Sequence, residues 1–228
     1  MKNLKNLLML LVSILTMSVA LTSCNTDSDD YSIDPAVNQQ YMQLMSMNGP
    51  YSGKTRMHYI TNGNRIVKYD STSVCSWSLR TDSTLTIHNF PVSCLDSAIV
   101  VPSGEISAQA TTLRELQKAI SNIKDNIDIK GRYYIPNNTQ YISNAGAYVV
   151  VNPIYFKQTL TYEGKQHDVY FVFYYDRCMG FFNNASVTKT FEFPMVLASI
   201  SIDKEPTDYT NSIQSSYFRT LQITCLAK

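Results

Sequence analysis

Few residues in this chain have the types and spacing that catalysis asks for. His167-Asp168, beside a turn at Gly164, sets an imidazole next to a carboxylate, and Asp176-Arg177 follows an aromatic run. The plainer reading leaves His167 and Asp168 as loop-edge residues in water and pairs Arg177 with a carboxylate. No Gly-x-Ser-x-Gly elbow, His-Glu-x-x-His helix, phosphate-binding glycine loop or dinucleotide fingerprint occurs, so no residue is assigned as catalytic. Two carboxylates for glycoside hydrolysis depend on a separation in space that spacing along the chain does not give. With no Cys-x-x-Cys and only His58, His88 and His167 to assist, neither metal nor cofactor is expected.

Binding has more to work with. Tyr133-Tyr134, Tyr170 to Tyr175 and Phe181-Phe182 are clusters that can stack on sugar rings or anchor a protein partner. Tyr133, Tyr134, Tyr170 and Tyr174 are the candidate ligand-binding residues; core packing accounts for alternate members of each cluster with no extra assumption and is the commoner use of any single tyrosine. Cys75, Cys94, Cys178 and Cys225 are an even set with three connectivities. Proximity along the chain favours Cys75 with Cys94 and Cys178 with Cys225, against the alternative that they are small buried hydrophobes.

The elements that position these groups are mostly strands. Tyr51, Gly53, Thr55, Met57 and Tyr59 alternate with Ser52, Lys54, Arg56 and His58, a period of two. Asn62-Gly63-Asn64 then predicts a tight hairpin returning along Arg65 to Tyr69. Ser73–Leu79 and Thr84–Phe90 form a second hairpin through Thr81-Asp82-Ser83, with Leu85 and Ile87 inward, ended by Pro91. Further strands are expected at 147–151, 156–162, 169–175, 188–193, 196–202 and 217–226, with a turn at Glu163-Gly164-Lys165. Two short helices join them. The first, at about 34–47, has Asp34 and Pro35 at its start, Val37, Tyr41, Leu44 and Met45 on one face, and Gly49 after its end. The second, at about 112–127, carries Leu113, Leu116, Ile120, Ile123 and Ile127 behind a Thr112/Glu115 capping box. About ten antiparallel strands and two helices predict a mainly β fold, a sandwich or an open barrel.

The N-terminus carries an address. Lys2 and Lys5 precede an apolar run from Leu7 to Ala20, too short and too early for a spanning helix and suited to a signal peptide over residues 1–23. Leu21-Thr22-Ser23-Cys24 resembles the lipobox of bacterial lipoproteins, which implies acylation of Cys24 and a permanent membrane hold. Residues 24–33 follow as a polar, acidic tether similar to that of surface-displayed Bacteroidetes lipoproteins, and 34–228 form one domain. Removing Lys2 and Lys5 takes the formal charge from +1 to −1, with 17 basic against 18 acidic residues, so no pull toward nucleic acid is expected.

The helix leading into Gly49-Pro50-Tyr51-Ser52-Gly53 and the run Asp82-Ser83-Thr84-Leu85-Thr86-Ile87-His88-Asn89-Phe90-Pro91-Val92 are similar to uncharacterised lipoproteins of gut Bacteroidetes. Asp70-Ser71-Thr72, Asp82-Ser83-Thr84 and Asp96-Ser97-Ala98 resemble their short O-glycosylation motif. The first strand also resembles that of lipocalin-like barrels, which implies an apolar ligand. Together these lead to the expectation of a lipid-anchored outer-membrane protein, facing the cell surface or the periplasm, that binds a glycan or protein ligand. A hydrolase without a recognised motif and a fimbrial-type subunit are the alternatives.

Overall fold

The computed structural model describes residues 35–227 apart from 62, 63, 137, 154, 176 and 186, with backbone alone at 35–39, 42, 54, 56–61, 64–74 and 139. Cys24, the signal segment and the tether therefore lie outside the described residues, as do Asp34, Asn62-Gly63, Asp176 and the side chains of Asp70-Ser71-Thr72 and His58.

Eleven strands make one antiparallel sheet among the described residues: β1 (Gly49–Thr61), β2 (Asn64–Leu79), β3 (Thr84–Phe90), β4 (Ile127–Tyr134), β5 (Ile142–Ser143), β6 (Gly146–Asn152), β7 (Tyr155–Tyr162), β8 (Lys165–Phe173), β9 (Met179–Asn183), β10 (Thr190–Ile202) and β11 (Leu221–Ala227). Eight of them close on themselves in the order β11, β1, β2, β3, β4, β6, β9, β10 and back to β11. The mainly β expectation holds, but the architecture is a closed barrel, neither a sandwich nor an open barrel. Closure comes from β11, whose Leu221–Cys225 pair with β10 on one side and with β1 on the other.

β10 is the strand that makes this arrangement work. The sequence predicts two strands, 188–193 and 196–202, and Pro194 lies between them. The structure runs them as one. Thr190–Glu192 pair with β9, and from Leu197 onward the same side pairs with β8. Pro194 falls in the gap between those partners; Val196, two residues on and so pointing the same way, offers its carbonyl there to the Tyr174 N–H at 2.9 Å. A missing donor costs little at a place where no ladder bond is due. Beyond the ring, β7 and β8 form a flap hairpin through Glu163 (φ 49°) and Gly164 (φ 72°), the paired left-handed residues that a two-residue hairpin loop requires.

The barrel interior is filled. Trp77 meets Phe193 edge-on at 5.5 Å, Phe193 stacks on Phe191 at 5.1 Å, and Tyr51 closes on Phe191 at 6.2 Å. Each such ring removes about 150–250 Å² from water. A closed ring is compatible with the lipocalin-like resemblance, yet these side chains occupy the volume where such a barrel would hold an apolar ligand. Helix α1 (Pro35–Met47) seals one region: Met47 is fully buried and its carbonyl accepts the Tyr51 hydroxyl at 2.7 Å. Its inward face is Gln43, Leu44 and Met47, whereas Tyr41 and Met45 are exposed, so the expected apolar face is rotated. Two side-chain amides, Gln43 buried and Gln40 half-buried, explain the rotation. Gln40 and Gln43 donate to the carbonyls of Ile135 and Ser143 at 2.7 and 2.6 Å, anchoring the helix by polar bonds.

Helix α2 spans Ala108–Ser121, not 112–127. Ser107 caps it, accepting the Ala110 N–H at 3.2 Å, and Ile127 has already entered β4. Thr112 and Glu115 do not cap the helix. They clasp the flap tip instead: the Thr112 hydroxyl donates to the Glu163 carboxylate, and Glu115 accepts the Glu163 N–H at 2.8 Å. Leu113, Leu116 and Ile120 are buried beside the 3-10 turn at Val92–Ala98, while Phe156 on the flap stacks on Phe171 at 5.1 Å and meets Phe90 at 6.1 Å. Ser97 of the third O-glycosylation-like motif is buried, out of reach of modification in the folded chain.

Gly53 sits where the ring closes, opposite Cys75 on β2 and Ala227 on β11. A Cβ there would stand 1.9 Å from the Leu226 carbonyl oxygen and 2.6 Å from the Trp77 ring. Gly53→Ala is expected to destabilise the fold by about 3 kcal/mol, the upper range for overpacking, whereas Gly104→Ala, with nothing within 4 Å, should leave the thermal midpoint unchanged. Equal midpoints for the two variants in a denaturation scan would refute this account of closure.

Candidate functional site

The flap has a dry face and a wet one. Leu160, Tyr162, His167, Val169, Phe171 and Phe173 turn inward and are buried. The alternate residues, Tyr155, Lys157 and Thr159 on β7 and Asp168 and Tyr170 on β8, make the outer row, with Lys157 opposite Tyr170 and Thr159 opposite Asp168. Lys157 and the Thr159 hydroxyl both donate to Asp168, at 2.9 and 2.8 Å, and hold its carboxyl below the usual range.

After β10 the chain turns back along this face. Asp203 takes a left-handed conformation (φ 58°) and accepts from both His167 Nδ1 at 2.7 Å and the Asp168 N–H at 2.9 Å. The Tyr155 hydroxyl donates to Glu205. The loop then closes over the end of the flap, where the Tyr209 hydroxyl accepts the Tyr175 N–H at 3.2 Å. Between loop and flap lies an open cleft of about 470 Å³ lined by Tyr155, Tyr175 and Tyr209 together with Asn152, Val172, Phe173, Pro206, Thr207 and Asp208. Tyr175 stacks on Tyr209 at 5.9 Å, Tyr174 tilts against Tyr209 at 4.9 Å, and Arg177 lies 4.4 Å over the Tyr174 ring. Arg177 thus stiffens the aromatic stack through a cation–π contact.

The four candidate tyrosines separate. Tyr170 and Tyr174 flank the cleft, Tyr170 edge-on to Tyr155 at 5.9 Å. Tyr134 is exposed on a different strand, β4. Tyr133 is in the core: it points inward, donates to the Arg80 carbonyl at 2.6 Å, and burial pushes its hydroxyl up to about 12. Of the cleft's own tyrosines, Tyr175 ends the aromatic cluster seen in the sequence, whereas Tyr155 and Tyr209 carry little sequence signal. Tyr209 lies in a stretch without period, and only the returning loop brings it to Tyr175.

A second, polar recess of about 300 Å³ is lined by Thr159, Gln166, His167, Asp168, Tyr170 and Asp203. It contains the His–carboxylate pair that a hydrolase would need, but the imidazole is sealed. His167 is 5% exposed, stacks on Tyr162 at 4.1 Å, and its Nε2 is buried with no hydrogen-bond partner. Nδ1 is engaged by Asp203 and Nε2 is closed off from solvent, so neither ring nitrogen is open to a substrate. The carboxyls of Asp168 and Asp203 are both held low, by Lys157 and by His167, the opposite of what a general acid requires. The pair instead clips the Asp203 loop to β8.

Cys75, Cys94, Cys178 and Cys225 are all buried. Proximity along the chain misjudges their neighbours. Cys75 shares a hydrogen bond with Cys225, the two strands flanking β1 at Gly53, while Cys178 donates to the Tyr174 carbonyl at 2.9 Å. Full burial pushes the Cys225 thiol well above its ordinary range. Among the described residues no three His, Cys, Asp or Glu side chains are grouped to hold a metal ion.

The clip's pH dependence follows from the Asp203 carboxyl. His167 lowers it in the folded state, so its contribution is complete above the unfolded value of about 3.9 and disappears as pH falls through the lower folded value. Asp203 is exposed, which keeps the effect small. Thermal scans of the wild type and Asp203→Asn should show a midpoint gap at neutral pH that closes as the solution is acidified below the ordinary aspartate value of about 3.9; a gap that persists unchanged in acid would contradict the assignment.

Comparison with known proteins places the chain without giving it an activity. No curated protein and no solved structure matches it. A family profile, described as a domain of unknown function, matches residues 46–202, from the last turn of α1 to the end of β10. The match takes in every ring strand but the closing β11, and it covers well over half of the chain. The chain therefore belongs to the DUF4840 family.

Proposed function

We propose that this chain is a binding module held at a membrane by acylated Cys24, and that its ligand seat is the tyrosine cleft at the end of the flap. The reading rests above all on Tyr155, Tyr175 and Tyr209 converging on one open cleft with Asn152 and Asp208 among them. Aromatic faces receive the C–H face of a sugar ring, and amide and carboxylate groups at the rim take its hydroxyls. A glycan is the ligand class that uses both. The stack behind the cleft, Arg177 on Tyr174 on Tyr209, preorganises the platform and lowers the ordering cost of binding. Catalysis at His167 is the weaker reading, because its free ring nitrogen is shut behind Tyr162.

A glycan and matrix-protein screen on the mature chain tests this. Binding to one or more glycans is expected, and Tyr175→Ala and Tyr209→Ala should each weaken it about five- to tenfold, the loss of roughly 1 kcal/mol of stacking. Tyr134→Ala should bind as wild type. A flat response from folded protein across every glycan would remove the reading.

A further inference from the structure

Six exposed large apolar side chains gather around the place where the chain enters the fold. Tyr41 and Met45 share the outer face of α1; Tyr134 is on β4, Tyr148 on β6, and Met179 and Phe181 on β9. They are contiguous. Tyr41 and Tyr134 line one dimple of about 270 Å³; Tyr134 stands opposite Val150, which stands opposite Met179; Tyr148 meets Phe181 at 5.1 Å. None of these six side chains lines the ligand cleft at the end of the flap. Tyr134, at 54% exposed, and Tyr41, at 57%, keep their rings in water.

We propose that this patch rests on a lipid bilayer, at the boundary between headgroups and acyl chains. Three observations select lipid as the occupant. The ten residues from Asn25 to Asp34 reach about 35 Å at most, and Pro35 lies only about 9 Å of helix from Tyr41, so the tether delivers the patch to the membrane at high effective concentration. The patch is made of tyrosines, a phenylalanine and methionines, whose apolar bodies and tyrosine hydroxyls suit the interface. Lys130 and Arg132 share the outer row of β4 with Tyr134, two cations for anionic headgroups against one acid, Asp128, which is engaged by His88 Nδ1 at 2.8 Å. The acid paired with Phe181, Glu192, is already engaged, accepting the Ala227 N–H at 3.2 Å. The arrangement would hold the domain down on the surface, where a bare tether would let it tumble.

The proposal rests on the membrane-held reading, so its test supplies the tether independently of Cys24. A mature chain with an N-terminal hexahistidine in place of Cys24 is bound to vesicles of anionic phospholipid containing a nickel-chelating lipid. Phe181→Trp is the reporter and Tyr134→Trp a second, on a different strand; Trp77, fully buried, supplies a constant background. Brominated lipid should quench both reporters and shift their emission to the blue, with wild-type emission unchanged. Vesicle-bound protein whose reporters stay unquenched would overturn the proposal. So would a blue shift without lipid in protein that sediments as a dimer, which would assign the patch to a second copy. Neither result bears on whether Cys24 is acylated, which mass spectrometry of the native protein decides.

Discussion

Everything in this molecule depends on β11 finding two partners at once. Five residues, Leu221 to Cys225, pair with β10 and β1 together and turn a curved sheet into a ring without edges. The constraint is steric as much as it is hydrogen bonding. Trp77 and the Leu226 carbonyl occupy the space beside Gly53 that a side chain would claim, so the ring closes only because that residue has no Cβ.

A filled ring has consequences for function. Trp77, Phe191, Phe193 and their neighbours fill the barrel interior and stabilise it by burial. Chemistry is displaced to what the ring carries: the flap, which β10 supports by running past its ring partners, and the loop that returns over it. The flap is pinned at three points, at Glu163 by α2, at His167 by Asp203, and along Leu197–Ile202 by β10. A cleft built on so constrained a hairpin holds its tyrosines in fixed positions, and the patch beside α1 is made by different side chains.

The sequence announces local features well. Asp82-Ser83 and Glu163-Gly164 mark hairpins because left-handed residues are locally costly for most types, and Leu85 and Ile87 mark an inward face by simple alternation. It is less informative where two periods overlap. Ile120, Ile123 and Ile127 continue a helical spacing, yet Ser107 starts the helix early and Ile127, Ile129 and Tyr133 already follow a strand's period of two. Closure was hidden, since nothing in Leu221–Ala227 says how many neighbours it has. The cleft was half legible: Tyr170 and Tyr174 stand out as a cluster, but Tyr155, Tyr175 and Tyr209 meet only through a loop whose path is set by Asp203.

The central claim is that recognition happens on the flap and its loop, outside the barrel. Hydrogen exchange of the mature chain with and without a bound glycan addresses it directly. The account predicts slowed exchange confined to 152–155, 172–175 and 205–209, with the ring strands unchanged; protection centred on ring strands such as β2 and β9, or on the β4–β6 face, would contradict it.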